Sequence, residues 1–164
     1  MNIFEYAMKM ETDGRQYYLD QAAKTKIPAL KKVLEELADD ELKHYNIFKM
    51  LRDGHSAEYK EAQKTHILAT VKNVFENLRD SKSKQVFTGE SIEYWRKAQE
   101  IEKEAEAFYR QKAAEVQLSE QKHILNKIAD EEHKHWVTMQ NVVQFLNRPK
   151  EWLEDAEWSH LEEF

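Results

Sequence analysis

The sequence predicts an all-α protein built around four long helices. The chain has 164 residues, of which only 3 are glycine and 2 are proline, whereas chains of short strands and tight turns need many more of both. Along four long segments, apolar residues recur at spacings of three and four, which is the period of an amphipathic helix. The length fits one domain over residues 1–164, with a core that needs no disulfide.

The first two helices are expected to form a hairpin. The first runs from Ile3 to Lys24, and Asn2 can cap its first turn. Pro28 is placed to open the second helix, because proline suits the first helical turn. That helix runs to about Leu51 and stops before Gly54, which suits the position after a helix end.

The last two long helices are expected to form a second hairpin. The third helix begins near Ser91 and runs to about Ala114. The fourth starts at Ser119, a favourable N-cap residue, and ends before Pro149. The tail from Pro149 to Phe164 is predicted to add a final helix lying on the bundle, because it carries Trp152, Leu153, Trp158 and Leu161.

The segment between the hairpins, residues 53–90, is too long for a bare loop in a compact domain. An apolar stripe at helical spacing predicts a fifth, shorter helix within it, with positions Ile67, Leu68, Val71, Val74, Phe75 and Leu78. Short loops within each hairpin and a long crossover between them are the connectivity of a ferritin-like four-helix bundle.

An internal repeat relates the two hairpins. A shift of 91 positions aligns residues 4–51 with residues 95–142 without a gap, and 12 of the 48 aligned pairs are identical. One block of identities surrounds Glu11 and Glu102, and another surrounds the pairs Glu41–His44 and Glu132–His135. The two hairpins are therefore expected to pack about an approximate twofold axis.

Each helix of the repeat places acidic or imidazole groups on its apolar stripe. The six inward-facing residues are Glu11, Glu41, His44, Glu102, Glu132 and His135. Buried carboxylates cost several kcal/mol each unless they are paired or change protonation. Two divalent cations balance four carboxylates when both imidazoles are neutral. The residue pattern is that of a dinuclear carboxylate centre, and its mixed oxygen and nitrogen ligands favour iron or manganese, with zinc possible.

The Glu-x-x-His spacing alone is a weak signal. It occurs four times, at 41/44, 120/123, 132/135 and 157/160, and a single copy is usually a solvated helix face. Only the copies at 41/44 and 132/135 follow the repeat and the core stripes. The alternative for that joint arrangement is an accidental repeat that binds no metal.

Several other residues could support the centre. Tyr18 and Tyr109 lie two turns after Glu11 and Glu102; they could hydrogen-bond ligand carboxylates or act as one-electron donors, or they could be ordinary core tyrosines. One acid from Asp39/Asp40 and one from Asp130/Glu131 could orient a histidine, or these acids could be solvated. Gly14 and Ala105 could leave room for a small oxidant or simply allow close helix packing.

The motifs around the six residues resemble the rubrerythrin family of the ferritin-like superfamily. The resemblance rests on residues 102–109 (EKEAEAFY), residues 130–135 (DEEHKH) and the tail from Glu151 onward. It implies that Glu41 and Glu132 bridge two irons and that Glu11 and Glu102 are terminal ligands. It also implies that His44 and His135 each bind one iron, and that the protein is a homodimer, sometimes with exchanged helices.

The chain departs from the family pattern in two places. Rubrerythrins carry a four-cysteine rubredoxin domain that delivers electrons, and this sequence has no cysteine; we therefore expect a separate electron-donor protein. Rubrerythrins also carry an extra glutamate one turn after the ligand of the third helix, a position occupied here by Ala105.

The functional expectation is a non-haem di-iron oxidoreductase that reduces hydrogen peroxide or dioxygen while oxidising Fe(II). An iron-binding or storage protein with little turnover is the alternative, and a bundle that never takes metal is a third. The net charge of −6 argues against a nucleic-acid partner. The absence of cysteine excludes thiol and iron–sulfur chemistry. No signal peptide or membrane span is recognisable, so a cytoplasmic location is expected.

Overall fold

The computed structural model describes residues 2–57, 63–81, 87 and 89–154. These residues form six helices and no strand, which confirms the all-α prediction. The helices are α1 (Ile3–Lys24), α2 (Pro28–Arg52), α3 (Ile67–Asp80), α4 (Ile92–Glu115), α5 (Ser119–Asn147) and α6 (Pro149–Glu154). Within the described ranges, none of them has the length and apolar character that crossing a bilayer requires.

Helix ends follow the predicted capping residues with one exception. The side chain of Asn2 accepts a hydrogen bond from the N–H of Glu5 at 2.9 Å, and Ser91 caps α4 in the same way. Gly54 follows the end of α2 with φ of +77°, a conformation that favours glycine. The prediction that Ser119 is an N-cap was wrong: Leu118 precedes the helix and Ser119 is its first residue. Ser119 is therefore the first residue of α5, just as Pro28, at the equivalent position of the first repeat, is the first residue of α2.

The crossover and the tail cover one side of the bundle. The predicted crossover helix is confirmed as α3, whose first five apolar stripe residues are buried and whose Leu78 packs against them half-buried. Trp152 of α6 packs edge-on against Phe75 of α3, with ring centroids 5.9 Å apart. The predicted tail positions Trp158 and Leu161 lie outside the described residues.

The apolar core is divided into two clusters, and the six predicted site residues lie between them. On every bundle helix, the residues on one side of the acidic position belong to one cluster and those on the other side belong to the second. On α2, for example, Leu37 lies in one cluster and Ile47 lies in the other, and Glu41 and His44 lie between these two residues. The fold therefore places a charged layer inside an apolar bundle, closed at both ends by hydrocarbon.

Candidate metal centre

The six residues predicted to face inward converge in the middle of the bundle. None is more than 4% exposed, and His44 and His135 are completely buried. Glu11 comes from α1, Glu102 from α4, and each Glu-x-x-His pair from α2 or α5. Because residues three apart on a helix lie on the same face, each of these pairs presents its carboxylate and imidazole together.

The side chains form two overlapping groups of four. Glu11, Glu41, His44 and Glu132 bring one ligand atom each to within 4.8 Å of one another. Glu41, Glu102, Glu132 and His135 do the same. Glu41 and Glu132 belong to both groups, and the 91-residue shift converts one group into the other. The bundle therefore contains two groups that could each hold a metal ion and that share two carboxylates.

Acids of the opposite repeat hold both imidazoles. The Nε2 of His44 lies 2.7 Å from Oε1 of Glu131, and the Nε2 of His135 lies 3.0 Å from Oδ2 of Asp40. A carboxylate only accepts hydrogen bonds, so each Nε2 carries a proton and donates it. The Nδ1 atoms consequently face the centre, and in the neutral rings they offer lone pairs to a metal.

Unpaired buried acceptors test whether these residues suit metal ions. In the described part of the chain, five such atoms lie in the centre: Oε2 of Glu11, Oε1 of Glu41, Nδ1 of His44, Oε2 of Glu102 and Oε1 of Glu132. The Nδ1 of His44 is 2.9 Å from Oε1 of Glu132, yet the two are not aligned for a hydrogen bond. Buried polar atoms normally have partners, so this cluster of four carboxylate oxygens and one imidazole nitrogen fits a pair of cations, with the imidazole deprotonated at Nδ1 when metal is bound.

Comparison with known proteins gives the family. A family model described as Rubrerythrin matches residues 2–143. The chain belongs to the rubrerythrin family. This is a ferritin-like di-iron family, so the family assignment agrees with the two overlapping groups of ligands. Searches among curated proteins and among solved structures found no match.

Two tyrosines cross the bundle to reach carboxylates of the other repeat. The hydroxyl of Tyr109 donates to Oε1 of Glu11 at 2.7 Å, and that of Tyr18 donates to Oε1 of Glu102. Both tyrosines therefore make the hydrogen bonds to carboxylates that were the first of the three possibilities weighed from the sequence. In both glutamates the tyrosine engages Oε1, and Oε2 is the atom left unpaired. Each tyrosine therefore holds one oxygen of its glutamate and leaves the other unpaired within the group of possible metal ligands.

In the absence of cations, burial and the charges of neighbouring carboxylates control the protonation of the glutamates and histidines in the centre. Burial, together with the charges of the neighbouring glutamates, raises the pKa of Glu41 and that of Glu132 well above the usual range. Burial alone would lower the pKa of His44 and of His135, but nearby carboxylates raise both instead. Without metal, protons thus supply the positive charge that balances the carboxylates. Two divalent cations would replace these protons.

Thr65 is a site residue that the sequence reasoning missed. It precedes α3 in the crossover and is 5% exposed. Its hydroxyl donates to Oδ2 of Asp40, and its N–H donates to Oε2 of Glu131 at 2.7 Å. One residue therefore holds both acids that orient the imidazoles. No repeat, motif or spacing in the sequence singles it out, because the contact forms only when the crossover folds over α2 and α5.

The structure decides between the alternatives left open for the remaining candidates. Asp39 and Asp130 are exposed, whereas their neighbours Asp40 and Glu131 turn inward. His123 and His133 are exposed, and the 120/123 copy of Glu-x-x-His lies on the surface; the 157/160 copy falls outside the described residues.

A Cβ atom added at Gly14 would lie 2.9 Å from Oε2 of Glu41. A larger residue at position 14 would therefore make the carboxylate of Glu41, the far end of a flexible side chain, shift.

Proposed function

We propose that this protein binds two iron ions at the centre and reduces hydrogen peroxide or dioxygen at the expense of Fe(II). The proposal rests on the set of five unpaired buried polar atoms within two groups of four ligands that share Glu41 and Glu132. Glu11 and His44 would complete one iron site, and Glu102 and His135 the other. Manganese or zinc would fit the same ligand types, so metal content is part of the test.

The bound irons would supply two electrons and bind the oxidant where negative charge develops on oxygen. Reduction of one hydrogen peroxide consumes two electrons and two protons and gives two waters, with two Fe(II) becoming two Fe(III). The residues of the chain prepare this reaction by holding the ligands in place. Asp40 and Glu131 fix the imidazoles, while Tyr109 and Tyr18 fix the terminal glutamates.

The tyrosines remain donors throughout the working pH range. Burial, reinforced by the charges of Glu102 and Glu41, raises the pKa of Tyr18 well above its usual value. Burial and the charge of Glu11 do the same for Tyr109. Both hydroxyls therefore keep their protons and hold Oε1 of their glutamates, which leaves Oε2 available. The electrons that return iron to Fe(II) would come from a separate donor protein.

Anaerobic loading followed by titration with peroxide tests the proposal. Metal-free protein should take up two Fe(II) per chain and oxidise both with one hydrogen peroxide. With excess ascorbate it should consume peroxide repeatedly. Oxidation that stops after one cycle despite the reductant would indicate an iron-binding protein instead, and failure to bind two metals would reject the dinuclear centre.

A matched control uses a surface copy of the same motif. His123→Ala alters an exposed histidine in a Glu-x-x-His sequence and should load and react like the unmodified chain. His44→Ala removes an imidazole whose Nδ1 faces Glu132 at 2.9 Å and should lose one metal. Equal loading of both variants would show that iron binds elsewhere.

A further inference from the structure

A cavity opens onto the proposed metal centre between α1 and α4. Its volume is about 360 Å³, and its lining includes the four glutamates Glu11, Glu41, Glu102 and Glu132. On the same measure, about 10–15 Å³ already holds one water molecule, so the cavity has room for two cations and for a ligand much larger than hydrogen peroxide. Its volume lies instead in the range of small-molecule sites, roughly 300–1,000 Å³.

Equivalent positions of the two repeats build the cavity walls. Three pairs related by the 91-residue shift line it: Met10 and Ile101, Asp13 and Glu104, and Gly14 and Ala105. Both terminal and both shared glutamates are also lining residues. The approximate twofold axis therefore passes through the cavity, and a ligand inside it faces both cation positions.

The side chains around the opening favour a neutral ligand with an apolar part. Tyr6, Met10, Tyr17 and Ile101 supply apolar surface, and burying a ligand's apolar area against such surface is favourable by about 25 cal/mol per Å². Asp13 and Glu104 are exposed lining residues. Asp13 pairs with Lys9 at 2.9 Å, so the two acids outnumber this one cation and the opening keeps a net negative charge that repels anions. A carboxylate-bearing ligand would therefore bind less well than an uncharged one of the same shape.

We propose that this cavity binds the organic group of a neutral organic hydroperoxide, whose O–O bond then lies at the glutamate-lined floor. The inference rests on the proposed function, because the two Fe(II) ions supply the electrons. The O–O bond breaks; two electrons and two protons convert one hydroperoxide into one alcohol and one water, and two Fe(II) become two Fe(III).

Binding can be tested without metal or turnover. The probe is 2-phenyl-2-propanol, the unreactive alcohol that cumene hydroperoxide would yield. Titrated into metal-free protein, it should shift the methyl NMR signals of Met10 and Ile101 saturably. Ala105→Leu fills part of the cavity and should weaken this binding by about tenfold, the scale of discrimination that methylene-sized changes give in apolar pockets.

The matched control is the same substitution two residues away. Ala107 lies on the exposed face of α4, so Ala107→Leu should bind the alcohol like the unmodified chain. Circular dichroism checks that both variants are folded. Absence of saturable shifts, or equal binding by the two variants, would overturn the inference.

A second pair of substitutions tests the acidic rim and does not depend on filling the cavity. Asp13→Asn combined with Glu104→Gln removes two exposed charges. Binding of 4-(2-hydroxypropan-2-yl)benzoate, an anionic analogue of the alcohol, should strengthen relative to the alcohol itself. An unchanged ratio of the two affinities would show that the ligand does not enter past these acids.

Turnover by the iron-loaded protein separates this inference from the proposed function. Ala105→Leu should lower the ratio of kcat/KM for cumene hydroperoxide to that for hydrogen peroxide by about tenfold, and Ala107→Leu should not change the ratio. Reduction of hydrogen peroxide alone by the unmodified protein would overturn the inference and leave the proposed function standing. Reduction of neither peroxide would overturn both.

Discussion

The hydroxyl of Tyr109 donates a 2.7 Å hydrogen bond to Oε1 of Glu11, a residue of the other repeat. Its counterpart, Tyr18, donates to Glu102 in the opposite direction. The imidazoles follow the same rule, because His44 bonds to Glu131 and His135 to Asp40. Each hairpin therefore orients the ligands of the other, and one hairpin alone cannot complete the centre.

Tyr109→Phe should weaken the metal site that contains Glu11. The substitution removes the donor to Oε1, and loss of such an orienting contact typically costs about 10- to 100-fold in metal affinity. Titration of metal-free protein with Mn(II) measures the effect. Tyr17→Phe is the control, because Tyr17 bonds to the carbonyl of Tyr94 and phenylalanine already occupies the equivalent position 108.

Glu41→Ala or Glu132→Ala should reduce loading to one metal or none. Each glutamate belongs to both groups of ligands, so its loss removes an oxygen from both cation positions. Metal analysis after anaerobic Fe(II) loading gives the stoichiometry. Two metals per chain in either variant would contradict the assignment of these residues as bridges.

Metal binding should stabilise the fold. A ligand that binds only the folded state at 100 times its dissociation constant adds about 2.7 kcal/mol. For a chain of this size, each kcal/mol raises Tm by about 2–4 °C. Anaerobic melting with Fe(II) should therefore show a rise of several degrees over metal-free protein. The double variant Glu11→Ala/Glu102→Ala should lose most of this rise; an equal rise would place the metal outside the centre.

Gly14→Ala should change stability and metal affinity in opposite directions. Alanine is favoured over glycine inside a helix by about 1 kcal/mol, so the metal-free protein should resist urea better. The new Cβ would lie 2.9 Å from Oε2 of Glu41, which forces this carboxylate to move and weakens metal binding. Urea unfolding and metal titration on the same preparation check both effects. Unchanged affinity would mean that Glu41 has room to adjust.

Thr65→Val should loosen the support of His135. Valine keeps the N–H that bonds to Glu131 but removes the hydroxyl that bonds to Asp40. The Oδ2 of Asp40 keeps its bond from His135 but loses one of its two donors. Loss of a hydrogen bond to a charged group costs about 1.5–3 kcal/mol in unfolding free energy, and metal affinity should also fall. Thr65→Ser keeps the hydroxyl and should restore both. A serine variant as impaired as the valine variant would show that the methyl group matters instead.

Most of the helical architecture could be predicted because it depends on local pattern. The stripe of α3 buries Ile67 and Val71 as expected, and Asn2 caps α1. Ser119 was assigned wrongly as a cap, because cap and first-turn preferences overlap in sequence and only the backbone distinguishes the two positions.

The sequence by itself determined which residues face the centre. Helical periodicity and the 91-residue shift select six buried groups in symmetric positions, since both signals are carried along the chain. Only the tertiary structure decided how those groups are held: Tyr109 reaches Glu11 rather than its own repeat, and Thr65 connects Asp40 with Glu131. These contacts join residues that are distant in sequence, so they exist only once the hairpins and the crossover are packed together.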